Sequence, residues 1–172
     1  MTAMNTQTPF VPGRLEQMST RIAFFIAGFG IAAWAPLVPY AKARAGLDDA
    51  TLGLLLLCLG AGSILAMPIS GVLATRYGCR RVFSAGTLLI CLALPLLATV
   101  SSVPLLIATL FLFGAGLGAV DSTVNLQAVI VERASGRTMM SGFHGLFSVG
   151  GIAGAAGVSA LLALGLTPLW AI

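Results

Sequence analysis

Between Val82 and Val120 the chain runs for 39 residues without a charged side chain. As one helix, rising 1.5 Å per residue, this run would measure nearly twice the ~30 Å hydrocarbon core of a bilayer. Ser101, Ser102, Val103 and Pro104 interrupt it with turn-forming residues. The run therefore reads as two membrane spans, over 82–100 and 104–131, the second ending at the charged segment Glu132 to Arg137.

Similar runs flank this pair. Arg21 and Lys42 enclose 20 uncharged residues, 22–41, enough for one crossing. A second run, 50–75, follows Asp48 and Asp49, acids suited to cap a helix N-terminus and complement its dipole. The fifth covers 139–165 and ends at Gly165 and Pro168, after which the chain has room only for the start of a sixth span from 168. Residues 1–20 are polar, contain Pro9 and Pro12 and read as a tail. Ala33-Trp34-Ala35 resembles a signal-peptidase site, but Pro36 follows directly and further spans come after it.

Composition agrees with lipid as the solvent. Hydrophobic residues make up 58% and charged residues 8%, against about 25% charged in a soluble domain. The net charge of +4 comes from arginines gathered in short loops, without the aromatic interleaving that a nucleic-acid surface needs. Cys58, Cys79 and Cys91 have no CxxC spacing, and the single histidine, His144, excludes multi-histidine metal sites. No cofactor is expected. Gly114-Ala-Gly116-Leu-Gly118 is not a nucleotide loop, because it lies inside an apolar span and follows no strand.

Basic residues next to spans stay in the cytoplasm. Arg14, Arg21, Arg76, Arg80, Arg81, Arg133 and Arg137 fall on one side, Lys42 and Arg44 on the other. The N-terminus is therefore expected in the cytoplasm and the protein in the plasma (inner) membrane.

The turn after the second span reads Gly71-Val-Leu-Ala-Thr75-Arg76-Tyr77-Gly78-Cys79-Arg80-Arg81. Gly71 is expected to permit close helix contact, Gly78 a sharp reversal, and the arginines to hold the turn in the cytoplasm. This segment resembles the signature loop of the major facilitator superfamily. That pattern carries an acid where this chain has Thr75, so the acid's usual ion pair has no counterpart to expect. The basic turn between spans two and three, the short outer loop before the fourth, Glu132-Arg133 with Gly136-Arg137, and the glycine-rich fifth span agree with the family. Trp34 with Pro36 and Pro39, Asp121-x-x-x-Asn125, and His144-Gly-Leu-Phe-Ser-Val-Gly150 resemble the fucose-permease and YbjJ-like branch.

The resemblance implies an all-α fold, most of an N-terminal six-helix bundle over 21–172. It further implies proton-coupled transport of a small polar solute between this bundle and a second, C-terminal half that this chain lacks, so the fragment alone is expected to transport nothing. A small helical membrane protein that acts by assembling with itself or a partner is the alternative. An enzyme would need a catalytic constellation beyond Asp121 and His144, and none is evident.

Asp121 is the most informative residue. A carboxylate near the centre of a membrane helix costs about 2.5–3.5 kcal/mol on insertion scales, so it is expected to face protein or an aqueous cavity. Gly114, Gly118, Asp121 and Asn125 share one helical stripe. Two readings are open: a proton-coupling or substrate-binding acid, or an acid satisfied by a neighbouring helix. His144 and Asn125 each lie seven residues from the near end of the charged loop, about 10 Å deep in antiparallel spans. His144 reads either as a relay or as a helix-helix hydrogen bond, and Trp34 either as a stacking platform for solute or as part of an interfacial belt. Gly150-x-x-x-Gly154, with Gly151 and Gly157, reads as close helix packing.

Overall fold

The computed structural model describes residues 13–172, and among them every regular element is helical. In chain order these are α1 (Arg14–Ala32), a 3-10 turn (Ala35–Leu37), α2 (Val38–Ala45), α3 (Asp49–Tyr77), α4 (Cys79–Thr99), α5 (Val103–Ser135) and α6 (Met140–Ala163). With α1 and α2 taken as one segment, five are long and apolar enough to cross a membrane. The expected all-α membrane fold is thus observed.

The ends of the spans differ from expectation for local reasons. Helix α1 starts at Arg14, so 14–20 are helical where a tail is expected. Leu15, Glu16, Gln17 and Met18 are helix formers without branching at Cβ, and the Ser19 and Thr20 hydroxyls donate to the Glu16 carbonyl at 3.0 and 2.8 Å. The rest of the expected tail, 1–12, lies outside the described residues. The first span also does not stop at its prolines. Pro36 and Pro39 offer no N–H, so the helix breaks into the 3-10 turn, where Leu37 N–H donates to Trp34 O at 2.9 Å, and resumes as α2. At the other end, residues 168–170 form a hydrogen-bonded turn rather than the first residues of a sixth helix.

Each connection is closed by a specific polar contact. The Asp48 carboxylate caps α3 by accepting from Thr51 N–H at 2.7 Å, and Lys42 pairs with Asp49 across the α2–α3 turn. Gly78 alone separates α3 from α4; its φ of +87° is open to glycine and strained for other residues, and its N–H donates to Ala74 O at 2.9 Å. The Arg44 guanidinium reaches from α2 to the C-terminus of α4, donating to Leu97 O at 2.7 Å and Val100 O at 2.9 Å. Glu132, in the last turn of α5, accepts from Met139 and Met140 N–H at 2.6 and 2.7 Å and so starts α6.

Helix α5 is the centre of the bundle, packed along α3 and α4, while α1 packs along α6. Glycine decides how closely these pairs approach. A Cβ on Gly114 or Gly118 would strike the backbone of Leu59 or Ser63 in α3, and one on Gly62 would strike Phe111 in α5. Between α1 and α6, Gly28 faces the Phe147 carbonyl, and Gly150 and Gly154 face those of Phe25 and Phe29. Backbones in direct contact supply the dispersion that holds helices together where lipid removes the hydrophobic incentive. Two expectations need correction: a Cβ on Gly71 or Gly157 would have no neighbour within 4 Å among the described residues. Gly71 is off the stripe of α3 that buries Leu55, Gly62, Ser70 and Ala74.

Candidate functional site

The face of α5 that lies against α3 through Gly114 and Gly118 continues one turn further to Asp121 and then Asn125. Both polar residues are half-buried. Asn125 Nδ2 donates to the Asp121 carbonyl at 2.9 Å and to its carboxylate Oδ1 at 3.2 Å. Four-residue spacing on a helix makes this pairing local, so it needs no second element.

The other polar groups nearby turn inward on their own helix. Ser122 Oγ donates to Ala119 O at 3.2 Å and Thr123 Oγ1 to the same carbonyl. The second oxygen of Asp121 accepts no hydrogen bond among the described residues, and no cation pairs with the carboxylate, since Lys42–Asp49 is the one ion pair among them. An ionised carboxylate has about four acceptor sites, so this one retains unused acceptor capacity.

His144 does not join this pair. Its side chain is exposed on α6 and its ring lies 5.4 Å from that of Phe24, inclined at 56°. No hydrogen bond links it to Asp121 or Asn125; its carbonyl accepts from Ser148 Oγ at 3.2 Å. Phe24 in turn stacks on Phe143 at 5.4 Å in an apolar cluster with Val124, Ala128, Val131 and Met139. Trp34 is 6% exposed and packs at 6.3 Å from the Phe113 ring, within the core at the α1–α2 break. In this bundle its indole is open neither to a solute nor to an interfacial belt.

The residues of the basic turn take separate roles. Gly78 makes the reversal. The Arg76 guanidinium lies 5.5 Å over the Tyr77 ring. Arg80 and Arg81 are exposed in the first turn of α4 and, with Tyr77 and Ser84, line a shallow recess. Thr75 is exposed, and its hydroxyl donates to Val72 O at 2.8 Å in its own helix.

Two contributions to the frame around the site are missed by sequence reasoning. Arg44 is read only as a basic residue, yet it closes α4; its reach over more than fifty residues leaves no local signal. Glu132 as the start of α6 was detectable, because an acid within eight residues of a helix N-terminus can fold back onto its unpaired N–H groups. A cavity of about 450 Å³ between α1, α4 and α6 is lined almost wholly by apolar groups, with the buried Thr87 hydroxyl beside it unpartnered among the described residues.

Comparison with known proteins gives this geometry a lineage. The chain is 63% identical over 161 residues to an uncharacterised MFS-type transporter of Yersinia pestis, covering 94% of this chain and 42% of that protein. It is 37% identical over 134 residues to an uncharacterised transporter of Sinorhizobium fredii, covering 78% of this chain and 36% of the relative. A membrane protein of Rhizobium meliloti named MosC is 35% identical over 144 residues, covering 83% and 35%. The chain thus spans about two fifths of the length of these relatives. No solved structure matches it. The Major Facilitator Superfamily profile matches residues 21–172, and the chain belongs to that superfamily of membrane transporters.

Proposed function

We propose that this chain is the N-terminal part of a secondary transporter that moves a small polar solute together with protons, with Asp121 as the group that takes and releases the proton. The observation that carries the reading is the half-buried carboxylate of Asp121, mid-helix in α5, with Asn125 as its side-chain partner and no cation paired with it among the described residues. A charge held at membrane depth is costly, and protonation removes it; a group so placed responds when the cavity opens to either side. Asn125 positions one carboxylate oxygen and leaves the other for the proton or for a donor on the solute.

Membership of the superfamily supports the remaining parts of the proposal. A second helical half would close the solute path, as in transporters that rock two bundles about a midplane site. The fucose-permease and YbjJ-like branch, whose pattern Asp121 and Asn125 share, favours a polar solute. The distribution of arginines supports a cytoplasmic N-terminus in the plasma membrane. His144 and Trp34 are left without a direct part in this scheme.

The test is Asp121→Asn in a full-length relative carrying this same segment. The amide keeps the shape and the contact to Asn125 but holds no exchangeable charge. Folding and insertion should be intact, uptake driven by a pH gradient should be lost, and counterflow exchange, which needs no net proton movement, should survive. Wild-type rates of pH-driven uptake would show that Asp121 is a packing residue.

A further inference from the structure

Helix α6 presents three different faces. Phe143, Gly150, Gly154 and Val158 are buried, the two glycines against the backbone of α1. Val149, Ala156 and Ala160 are exposed and apolar, as a side turned to lipid requires. The third face holds every polar side chain of the helix, Ser141, His144, Ser148 and Ser159, and all four are exposed. At 3.6 residues per turn they fall within a sector of roughly 60°, with Gly151 and Ala155 between them. Polar groups gathered so narrowly on a membrane helix turn to protein or to a water-filled cavity rather than to lipid.

The handedness of the helices decides where that face points. Helices α5 and α6 are joined by a short turn, run antiparallel and share an apolar cluster, to which α5 gives Val124, Ala128 and Val131 and α6 gives Phe143. On α5, Asp121 and Asn125 are rotated from the cluster residues by roughly 70° in the sense of the advancing chain. On α6, His144 and Ser148 are rotated from Phe143 and Phe147 by roughly 100° in the same sense. In antiparallel helices, rotations of the same sense open to the same side of the pair. His144 also stands level with Asn125, each seven residues from the charged segment Glu132 to Arg137, and its ring lies against Phe24 of the shared cluster.

We propose that this face of α6 is the second wall of the solute path, with His144 and Ser148 contacting the solute across from Asp121 and Asn125. The His144 ring offers a donor and an acceptor, and Ser148 a hydroxyl held only to the His144 carbonyl of its own helix at 3.2 Å. The two helices divide the work: α5 supplies the acid, and α6 supplies hydrogen-bonding groups that select the solute. This inference rests on the transporter reading, but not on proton transfer by Asp121.

The test uses a full-length relative carrying this segment, with its native cysteines replaced by alanine, in nanodiscs that leave both sides open. Single cysteines are labelled with the charged thiosulfonate MTSET, which reacts with a thiolate and so reports where water reaches the thiol. Labelling at His144, Ser148 and Ala155 should be at least about tenfold faster than at Val149, Ala156 and Ala160. Proximity is measured with a short bis-thiosulfonate linker: Asn125→Cys with His144→Cys should cross-link at least about fivefold faster than Asn125→Cys with Leu146→Cys. Should the His144 variant fail to fold, Asn125→Cys with Ser148→Cys makes the same comparison. Adding Asp121→Asn should leave the labelling pattern unchanged, which keeps this outcome separate from that of the proton assignment. Equal or reversed labelling of the two faces, or cross-linking no faster through His144 or Ser148 than through Leu146, would overturn the proposal.

Discussion

A glycine in the middle of a helix ordinarily costs about 1 kcal/mol relative to alanine. At Gly114 the balance reverses, because the added methyl would press on the Leu59 carbonyl, which is part of the α3 backbone and cannot swing aside. We predict that Gly114→Ala destabilises the bundle by about 1–3 kcal/mol, the usual range for forcing an extra methyl into a packed site. Gly71→Ala, with open space around it, should be neutral or up to about 1 kcal/mol stabilising. Reversible unfolding of the two purified variants in mixed micelles measures the difference, and a Gly114 variant at least as stable as the parent would remove the close α3–α5 contact. The contrast also marks what the residues themselves reveal. Spacing puts Gly114, Gly118, Asp121 and Asn125 on one stripe, and the structure keeps them together. Spacing cannot say which stripe meets a neighbour, and so Gly71 and Gly157 look alike in sequence to the glycines that do make contact.

At the scale of elements, hydropathy is informative because lipid imposes one condition on every span, an internally satisfied backbone inside an apolar exterior. That condition made five crossings legible. The ends obey other rules, set by single hydrogen bonds: the α1–α2 break at Pro36 and Pro39, the early start at Arg14, and the Arg44 contact to the end of α4. Asp48 shows how such an end can be tested. Accepting the Thr51 N–H holds the Asp48 carboxyl below the ordinary aspartate range. Because the folded value is the lower one, the cap contributes fully above the unfolded value and is lost as pH falls through the folded value. The Thr51 amide resonance, followed by NMR in micelles, should therefore titrate with a midpoint below that of an unstructured aspartate. Asp48→Asn should abolish the titration and leave α3 in place, and a midpoint at or above the ordinary value would mean that the cap does not form.

For the molecule as a whole, the arrangement of charge and the arrangement of helices point to one orientation. Seven arginines lie at the end that holds the start of α1, the α3–α4 turn and the α5–α6 turn. The two cations at the other end are both engaged, Lys42 with Asp49 and Arg44 with the carbonyls that close α4. Basic residues beside the spans resist translocation, and seven at one end outweigh two at the other. The helices alternate direction through short turns, so fixing any one end fixes all of them. We predict that reporter fusions or thiol labelling of single-cysteine variants will place Gly78 and Ser135 in the cytoplasm and Gly46 and Ser102 outside. Ser102 is the most discriminating position, because it precedes α5, whose 33 residues carry Asp121. A cytoplasmic signal there would invert α5 and put the α5–α6 turn with Arg133 and Arg137 outside, against the orientation argued from the arginines.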